Sequence, residues 1–417
     1  MTGHTLIEKI IMNNTGAADV KPGEIVTVTP DALMIHDIFV PFVANKFEQM
    51  GFSKIWDPDR AVLIYDHLVP AATVDDVRHF KAGDAFAEKY GLRHVHRNDG
   101  ICHQLMVEAG YVKPGSVAFG TDSHTTTYGA VGAFSTGIGY TEMAAVLGTG
   151  ELWVRVPSTI KVELEGELPP GVTAKDVILR LIGDIGADGA VYRALEFGGS
   201  GAKALSLASR MTIANMAVEA GAKCALFEPD EKALEYCDKA AGALDLAKLR
   251  PDADAVYEKV IRYDAKTLEP VAACPSQVDA VRPVRELAGT KVDQVFIGSC
   301  TNGRLEDLSA AADILRGKKV APFLRLVVTP ASREIYQQAA EQGILKDLTD
   351  AGAMVTLPGC GLCCGRAGGI MASGEVVLAT NNRNFMGRMG DSTVQIYLAS
   401  PVVAAATALA GVIAVPN

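Results

Sequence analysis

Three cysteines carry the most informative chemistry in this sequence. Cys300 lies in a Gly-Ser-Cys-Thr-Asn-Gly segment, and Cys360 and Cys363 lie together in Pro-Gly-Cys-Gly-Leu-Cys-Cys-Gly. Two close thiolates and a distant third suit an iron–sulfur cluster in which one iron has no cysteine ligand. Such an open iron acts as a Lewis acid toward oxygen ligands, whereas a cluster held by four cysteines only transfers electrons. The spacing therefore predicts hydration or dehydration chemistry.

Two simpler interpretations of the cysteines stay open from the residues alone. Free cysteine is often buried as a small apolar residue, and cysteines also form structural zinc sites, which usually have four protein ligands. Nearby glycines, including Gly298, Gly303, Gly359 and Gly365, let the backbone approach a bulky ligand, which favours the cluster. Cys364 is ambiguous, and we expect it to pack rather than bind, because adjacent residues rarely point at the same metal.

Four short motifs suit proton transfer. They are Asp66-His67, Cys102-His103-Gln104, Thr121-Asp-Ser-His124 and Asn215-Met-Ala-Val-Glu219. A carboxylate beside a histidine fixes the imidazole tautomer and raises its pKa, so that the histidine can donate a proton near neutral pH. Taken singly, each motif is more often a structural histidine or a helix cap.

Two further segments suit the binding of anions. The small-residue turn at 119–129 contains Ser123 and could present backbone amides to a carboxylate, although a strand-to-helix cap has the same pattern. Near the C-terminus, Arg383 and Arg388 lie in a segment rich in glycine and asparagine, where guanidinium groups could bind carboxylates through paired hydrogen bonds. Arginines are usually surface residues, but the proximity of these two to the cysteines favours a role in the site.

Apolar strand-like runs alternate with helical patterns, which predicts an α/β fold with largely parallel sheets. The runs lie at 61–65, 117–119, 159–164, 295–297 and 324–328, and the helical patterns at 74–90, 174–186, 206–220 and 332–342. Ligands of open α/β sheets collect beyond the carboxyl ends of the strands, and the polar motifs follow apolar runs. We therefore expect an interdomain cleft, with domains at 1–157, 158–280 and 281–417.

Composition argues against several classes of protein. The 417 residues are 49% hydrophobic, and the net charge of −10 includes no lysine- or arginine-rich block, so no nucleic-acid partner is expected. The apolar stretch at 399–415 is alanine-rich and interrupted by polar residues, so we expect a packed helix and no membrane span. Eight cysteines without a secretory leader favour a reducing compartment, and we expect a cytoplasmic protein.

Several motifs together resemble the aconitase family. They are Gly-Ser-Cys-Thr-Asn-Gly (298–303), Pro-Gly-Cys-Gly-Leu-Cys (358–363), Asp-Ser-His-Thr (122–125) and Asn-Arg-Asn-Phe-Met-Gly-Arg (382–388). The resemblance covers nearly the whole chain and is strongest toward the large subunits of two-subunit isopropylmalate dehydratases and homoaconitases. It implies three α/β/α domains around an iron–sulfur cluster, without the fourth, swivelling domain of the single-chain aconitases.

The resemblance also implies a role for each candidate site residue. Cys300, Cys360 and Cys363 match the ligands of one [4Fe-4S] cluster per subunit, and Asp66 with His67 match the pair that protonates the departing hydroxyl. The remaining matches are the orienting pairs His103 with Asp122 and His124 with Glu219, the polar contacts Ser123 and Asn215, and the carboxylate clamps Arg383 and Arg388.

A partner chain follows from the same resemblance. In single-chain aconitases, the serine that abstracts the proton lies in the swivelling domain. We therefore expect a separate small subunit to carry that domain and its base serine, and we expect the present chain to be inactive alone.

The expected activity is that of a hydro-lyase acting on a small hydroxy-dicarboxylate. The leading prediction is the isomerisation of 2-isopropylmalate and 3-isopropylmalate by dehydration and rehydration, a step of leucine biosynthesis. Homoaconitate, 2-methylmalate, 2,3-dimethylmalate or maleate are alternative substrates. An RNA-binding regulatory role of the cluster-free form is a hypothesis of another class, which the acidic charge disfavours. A cluster-free or zinc-bearing structural subunit is the third alternative.

Overall fold

Apolar runs form buried strands at the centres of three sheets. All five residues of the run Ala61–Tyr65 are buried, as in a parallel sheet whose two faces are covered by helices. The computed structural model describes residues 3–237 and 245–416, and within them lie three sheets of four or more strands and one two-stranded ribbon. This confirms the predicted α/β fold with largely parallel sheets.

The N-terminal unit surrounds a five-stranded parallel sheet. Its elements are α1 (Leu6–Thr15), β1 (Ile25–Val28), β2 (Ala32–His36), α2 (Val40–Gln49), β3 (Ala61–Tyr65), α3 (Val74–Tyr90), β4 (His94–Arg97), α4 (Cys102–Glu108), β5 (Val117–Gly120), a 3-10 helix (Ser123–Val131), β6 (Phe134–Gly137), α5 (Tyr140–Thr149) and β7 (Leu152–Arg155). The strand order is β4-β3-β2-β5-β6, so the chain reverses its direction of winding between β2 and β5, whereas β1 and β7 form the antiparallel ribbon.

The middle unit has a four-stranded parallel sheet. Its elements are β8 (Thr159–Glu165), α6 (Ala174–Ile185), β9 (Ala194–Gly198), α7 (Ser200–Ala204), α8 (Leu207–Met216), a 3-10 helix (Ala217–Ala220), β10 (Cys224–Phe227), α9 (Glu231–Cys237), a 3-10 helix (Leu246–Leu249), β11 (Lys259–Asp264) and a 3-10 helix (Ala265–Thr267). The strand order is β10-β9-β8-β11.

The C-terminal unit has a seven-stranded sheet. Its elements are β12 (Val271–Ala273), β13 (Val281–Pro283), α10 (Val284–Leu287), β14 (Gln294–Ile297), α11 (Ser299–Asn302), α12 (Leu305–Leu315), β15 (Arg325–Val328), α13 (Arg333–Glu341), α14 (Ile344–Ala351), β16 (Met354–Val355), a 3-10 helix (Gly361–Cys364), β17 (Val376–Ala379), β18 (Gln395–Leu398) and α15 (Pro401–Ala410). The strand order is β13-β12-β18-β17-β14-β15-β16, and only β12 pairs antiparallel with its neighbours. The winding reverses between β14 and β17.

Local capping explains where several elements begin and end. The side chains and backbones of Thr73 and Asp76 form a capping box at the start of α3, and Gly91 ends this helix in the left-handed conformation. The helical pattern at 206–220 divides into α8 and a 3-10 turn, and the pattern at 399–415 narrows to α15, which ends at Gly411.

Along the chain, the middle sheet ends with β11 and the C-terminal sheet begins with β12. Because β12 pairs with β13 and β18, the seven-stranded sheet begins about ten residues before the predicted boundary at 280. The domain boundaries themselves stay a prediction. Along 3–237 and 245–416, no helix combines the length and apolar character needed to cross a bilayer.

Candidate active site

The three predicted ligand cysteines lie on loops that follow strands of the seven-stranded sheet. Cys300 is in α11, directly after β14, where Ser299 adopts a left-handed φ of 78°. Cys360 and Cys363 follow β16, and their thiols contact each other by a hydrogen bond. All three side chains are buried, with 1% to 6% of each residue exposed. Gly365 follows these two cysteines. Only glycine fits at this position, because a Cβ would lie 2.5 Å from the carbonyl oxygen of Arg388.

Hydrogen-bond donors point at two of these sulfurs. Asn215 Nδ2 lies 3.2 Å and Asn382 Nδ2 3.5 Å from Cys300 Sγ, and Arg388 Nη2 lies 3.9 Å from Cys363 Sγ. The hydrogen bond from Cys360 and the charge of Arg388 hold the pKa of Cys363 well below its usual value, although burial opposes this. Burial raises the pKa of Cys300 to about 12, so a bound cation would be needed to keep this residue as a thiolate.

Cys364 lies beside the predicted ligands, and its thiol interacts with that of Cys360. Its thiol donates to the carbonyl oxygen of Gly361 at 3.2 Å and approaches that of His67 at 3.8 Å. Cys364 therefore contacts backbone carbonyls of the N-terminal and C-terminal units as well as a predicted ligand. The prediction that Cys364 is not a ligand remains untested by the geometry.

Asp66 and His67 form a tightly bonded pair after β3. Asp66 Oδ1 lies 2.6 Å from His67 Nδ1, and Asp66 Oδ2 accepts the backbone N–H of Cys102 at 2.7 Å. Burial disfavours the imidazolium, but the Asp66 carboxylate outweighs burial and raises the pKa of His67 well above its usual value. The pair can therefore hold a proton in a site that is almost closed to water.

Asp122 links three histidines. Its Oδ1 lies 2.8 Å from His103 Nε2 and 3.2 Å from His124 Nδ1, and its Oδ2 lies 3.8 Å from His67 Nε2. Burial opposes the negative charge, but the hydrogen bonds to His103 and His124 hold the pKa of Asp122 well below its usual value. Burial lowers the pKa of His103, whereas the carboxylates of Asp122 and Glu219 raise that of His124 despite burial and the charge of a nearby arginine.

A second chain of contacts leads from His124 to the predicted carboxylate clamp. His124 Nε2 lies 2.8 Å from Glu219 Oε1, which also accepts from Arg383 Nε at 2.9 Å. Arg383 Nη2 donates to Ser123 Oγ at 2.8 Å. Glu219 reaches this position from the 3-10 turn after α8, so all three units contribute side chains to one cleft.

The structure brings all thirteen predicted site residues into one contact network. The cysteines join the acid–base groups where the backbone N–H of Cys360 donates to the carbonyl oxygen of Asp66 at 2.7 Å. Arg388 and Asn215 contact the cysteines, and the other predicted residues connect through Asp122 and Glu219.

Sequence reasoning missed two residues at the carboxyl end of β2, His36 and Asp37. The Asp37 carboxylate accepts the backbone N–H groups of Asp66 at 3.1 Å, His67 at 3.1 Å and Leu68 at 2.8 Å. The His36 ring stacks on His67 with 4.2 Å between centroids, and it is 1% exposed. The position of Asp37 directly after a buried strand was the available signal, because Asp66 has the same position after β3 and Asp122 lies two residues after β5.

Two buried cations were also missed. Arg304 donates to the carbonyl oxygens of Cys300 at 2.6 Å and Thr301 at 2.8 Å, and to Gln104 Oε1 at 3.1 Å. Lys175 donates to the carbonyl oxygens that follow β17, those of Thr380 at 2.7 Å and Asn381 at 2.6 Å. Both side chains thus fix loops that carry predicted site residues, and no local sequence signal marks either one as buried.

The spacing of the possible ligand atoms bears on the structural-zinc alternative. Four ligands at about 2.3 Å from one zinc ion would lie within about 4 Å of one another. Among the described residues, the groups of three or more His, Cys, Asp or Glu ligand atoms that lie within 4.8 Å of one another contain histidines and aspartates but no cysteine. Cys300, Cys360 and Cys363 therefore do not all lie within 4.8 Å of one another, although Cys360 and Cys363 contact each other.

Comparisons with known proteins agree with this site. The profile of the aconitase family (aconitate hydratase) matches residues 8–411. The 3-isopropylmalate dehydratase large subunit 1 of Methanopyrus kandleri is 48% identical over 416 residues, which cover 100% of this chain and 99% of the relative. The probable methanogen homoaconitase large subunit of Methanothermobacter thermautotrophicus is 45% identical over 422 residues, covering 100% and 98%.

One solved structure shows the same fold. Aconitase X of Thermococcus kodakaraensis, in its holo form, superposes with a TM-score of 0.52 at 13% identity, over 93% of this chain and 92% of that one. Aconitase family members generally carry an iron–sulfur cluster, and this chain has a cysteine-rich buried region that fits one. By the family profile and the full-length similarity to its relatives, the chain belongs to the aconitase family.

Proposed function

We propose that this chain is the large, cluster-bearing subunit of a hydro-lyase that interconverts 2-isopropylmalate and 3-isopropylmalate. The observation that carries the proposal is the junction of three buried cysteines with paired carboxylates and histidines, where Cys360 N–H donates to the Asp66 carbonyl. Relatives named 3-isopropylmalate dehydratase large subunit, 45% to 48% identical over the full chain, support this substrate.

Cys300, Cys360 and Cys363 would hold a [4Fe-4S] cluster. When bound, a cluster with one iron free of cysteine supplies a Lewis acid that withdraws electron density from a leaving hydroxyl. Asn215, Asn382 and Arg388 donate toward the cysteine sulfurs, which stabilises thiolates in a buried site.

His67 would deliver the proton that the leaving hydroxyl needs. The Asp66 carboxylate orients Nδ1 of the ring, so Nε2 faces Asp122 and the cleft. Because its pKa is raised well above the usual value, His67 is protonated at neutral pH and is suited to act as a general acid. Asp37 keeps this segment in place through three backbone N–H groups.

The other polar residues would orient the substrate and the water. Asp122 and Glu219 hold His103 and His124, while Ser123 and Arg383 form a hydrogen-bonded pair at the opening of the cleft. Arg383 and Arg388 would bind carboxylates, since a guanidinium matches the geometry of a carboxylate.

We propose that a separate small subunit supplies the serine that removes the carbon-bound proton. The names of the full-length relatives as large subunits support a partner chain. A cytoplasmic location, the setting expected for such a metabolic enzyme, is part of the proposal. Homoaconitate is the second candidate substrate, because the homoaconitase large subunit relative is 45% identical over the whole chain.

Anaerobic reconstitution tests the proposal. The chain is loaded with iron and sulfide and mixed with the small subunit, and the alkene intermediate of dehydration is followed by ultraviolet absorbance with 2-isopropylmalate or homocitrate as substrate. We expect turnover of 2-isopropylmalate by the complex and none by either chain alone. Turnover of homocitrate but not of 2-isopropylmalate would change the proposed substrate to homocitrate. Failure of an iron-loaded complex to turn over any hydroxy-dicarboxylate would refute the proposal that the protein is a hydro-lyase.

A further inference from the structure

A groove of about 430 Å³ opens beside the acid–base network. Asp122 and Ser123 line the groove on the side of the network, and Ile138 and Val218 form an apolar part of its wall. Lys223 also lines the groove. The volume falls in the range of small-molecule sites. Residues after β6 and residues of the middle unit form its walls, so the groove continues the cleft between the two units.

Lys223 is a cation of this groove with no anion in direct contact among the described residues, and the Glu142 carboxylate acts on it only through its charge. Its side chain is partly buried, and its ammonium faces the ring of Tyr192, with 5.4 Å from Nζ to the ring centroid. Within the described part of the chain, Nζ makes no hydrogen bond or ion pair, and burial lowers the pKa of Lys223. A partly desolvated ammonium is costly unless an anion compensates it, so this position suits an anionic ligand.

The surroundings of Lys223 are held rigidly. Tyr192 has a left-handed φ of 58°, and its backbone N–H donates to the carbonyl oxygen of Gly221 at 3.1 Å. The Arg155 guanidinium lies 4.2 Å from the centroid of the Tyr192 ring. The backbone N–H of Lys223 donates to the carbonyl oxygen of Arg193 at 2.8 Å. Strained conformations held by several contacts occur most often at ligand sites, where they fix a side chain before binding.

Arg383 and Arg388 are the proposed carboxylate contacts on the side of the cysteines, and Lys223 adds a cation on the side of the groove. Arg383 is bonded to Ser123, which itself lines the groove, and Lys223 belongs to another part of the lining. We infer that Lys223 binds the second carboxylate of the substrate, with the aliphatic part of the molecule against Ile138 and Val218. The inference rests on the proposed function and deepens it, since it names a substrate-binding cation that belongs to this chain.

Substitution of Lys223 in the holo complex tests the inference. K223Q removes the charge, K223R keeps it, and K248Q removes the charge of an exposed lysine elsewhere in the middle unit. Because a charged hydrogen bond is lost, we expect K223Q to raise KM for 2-isopropylmalate about tenfold, with kcat changed less than about threefold. K223R should recover most of the affinity, and K248Q should match the wild type. Thermal unfolding and iron content check that each variant is folded and loaded.

A binding measurement separates this inference from the proposed function. Calorimetry of the same complexes with succinate and with butyrate compares a dicarboxylate with a monocarboxylate of equal chain length. K223Q should weaken succinate binding about tenfold and leave butyrate unchanged. That result would uphold the carboxylate site even if no hydroxy-dicarboxylate were turned over. Equal KM and equal succinate affinity in K223Q and wild type would overturn it, as would weaker association with the small subunit at unchanged KM.

Discussion

The N-terminal and C-terminal sheets share one design and supply different chemistry. In each, the winding reverses between two neighbouring parallel strands, β2 and β5 in the first and β14 and β17 in the second. Asp37 and Asp122 follow the first pair, and Cys300 and Asn382 follow the second. Topology therefore fixes where the polar residues gather, and the residue types after the strands would suit the carboxyl ends of the first sheet to proton transfer and those of the second to metal binding, as proposed above.

Contact distances differ between the carboxyl ends of the strands in the N-terminal sheet, called the N-terminal edge, and those in the C-terminal sheet, called the C-terminal edge. The carboxylates and imidazoles of the N-terminal edge pair at 2.6 to 2.8 Å, as in Asp66 with His67 and Asp122 with His103. At the C-terminal edge, amide nitrogens reach Cys300 Sγ at 3.2 and 3.5 Å. Sulfur is a large, weak acceptor, so these donors support a thiolate without competing strongly with a metal.

The largest expected effect comes from removing one sulfur at the C-terminal edge. C363S should lose the bound iron and lower activity by roughly 10³-fold or more, because no other ligand replaces the thiolate. C364S is the matched control one residue away, and it should keep both iron and activity. Iron analysis and visible absorbance of anaerobically loaded protein measure the difference. Loss of iron in C364S with retention in C363S would reverse the assignment.

The corresponding change at the N-terminal edge should spare the metal. H67Q removes the proposed acid and should lower kcat by about 10² to 10⁴, the usual contribution of a positioned general acid. The iron content should equal that of wild type. H94Q, which changes a partly buried histidine of β4, serves as the control and should retain activity. Loss of iron in H67Q would contradict the view that proton transfer and metal binding depend on separate sets of residues.

Arg304 joins the two edges, and its loss should weaken both. It is 3% exposed and bonds the Cys300 and Thr301 carbonyls as well as Gln104 in α4. R304Q leaves buried acceptors unpaired, so we expect it to lower the free energy of unfolding by about 3 kcal/mol. R316Q, which breaks exposed ion pairs, should cost less than about 1 kcal/mol. Equal denaturation midpoints for the two variants would contradict the bridging role.

The smallest expected effect is a pH dependence from Lys175. Burial lowers its pKa to about 7 from the ordinary 10.5. Above about pH 7 the unfolded chain binds more protons at this residue than the folded chain, so its contribution to stability rises with pH. Relative to K175M, the wild type should gain roughly 2 kcal/mol between about pH 7 and pH 9. Unfolding curves of both proteins at several pH values test this, and parallel pH profiles would refute it.

Elements with strong local signals were predictable from the sequence. The helix at 74–90 and the strand at 61–65 have the predicted bounds, because a capping box, Gly91 and a continuous apolar run mark them. The expectation that polar motifs converge beyond the strand ends is met by the contact network around Asp122. The catalytic and binding roles of these residues stay predictions.

The residues that support the site were not predictable, because their burial depends on distant packing. Lys175 occupies a polar position near the start of α6, where a lysine is usually solvated, yet its partners are the carbonyls of Thr380 and Asn381. Arg304 meets Gln104, 200 residues earlier in the chain. Asp37 was overlooked although it follows β2 as Asp66 follows β3. An acidic residue directly after a buried apolar strand is the local signal that marks it.

Mössbauer spectroscopy of the complex, loaded anaerobically with isotopically enriched iron, tests the central claim most directly. Three cysteines beside an acid–base network predict a four-iron cluster in which one iron alone changes its isomer shift when 2-isopropylmalate is added. C363S should lack this spectrum. Absence of iron from the folded complex, or four irons that all ignore the substrate, would contradict an open iron at this site.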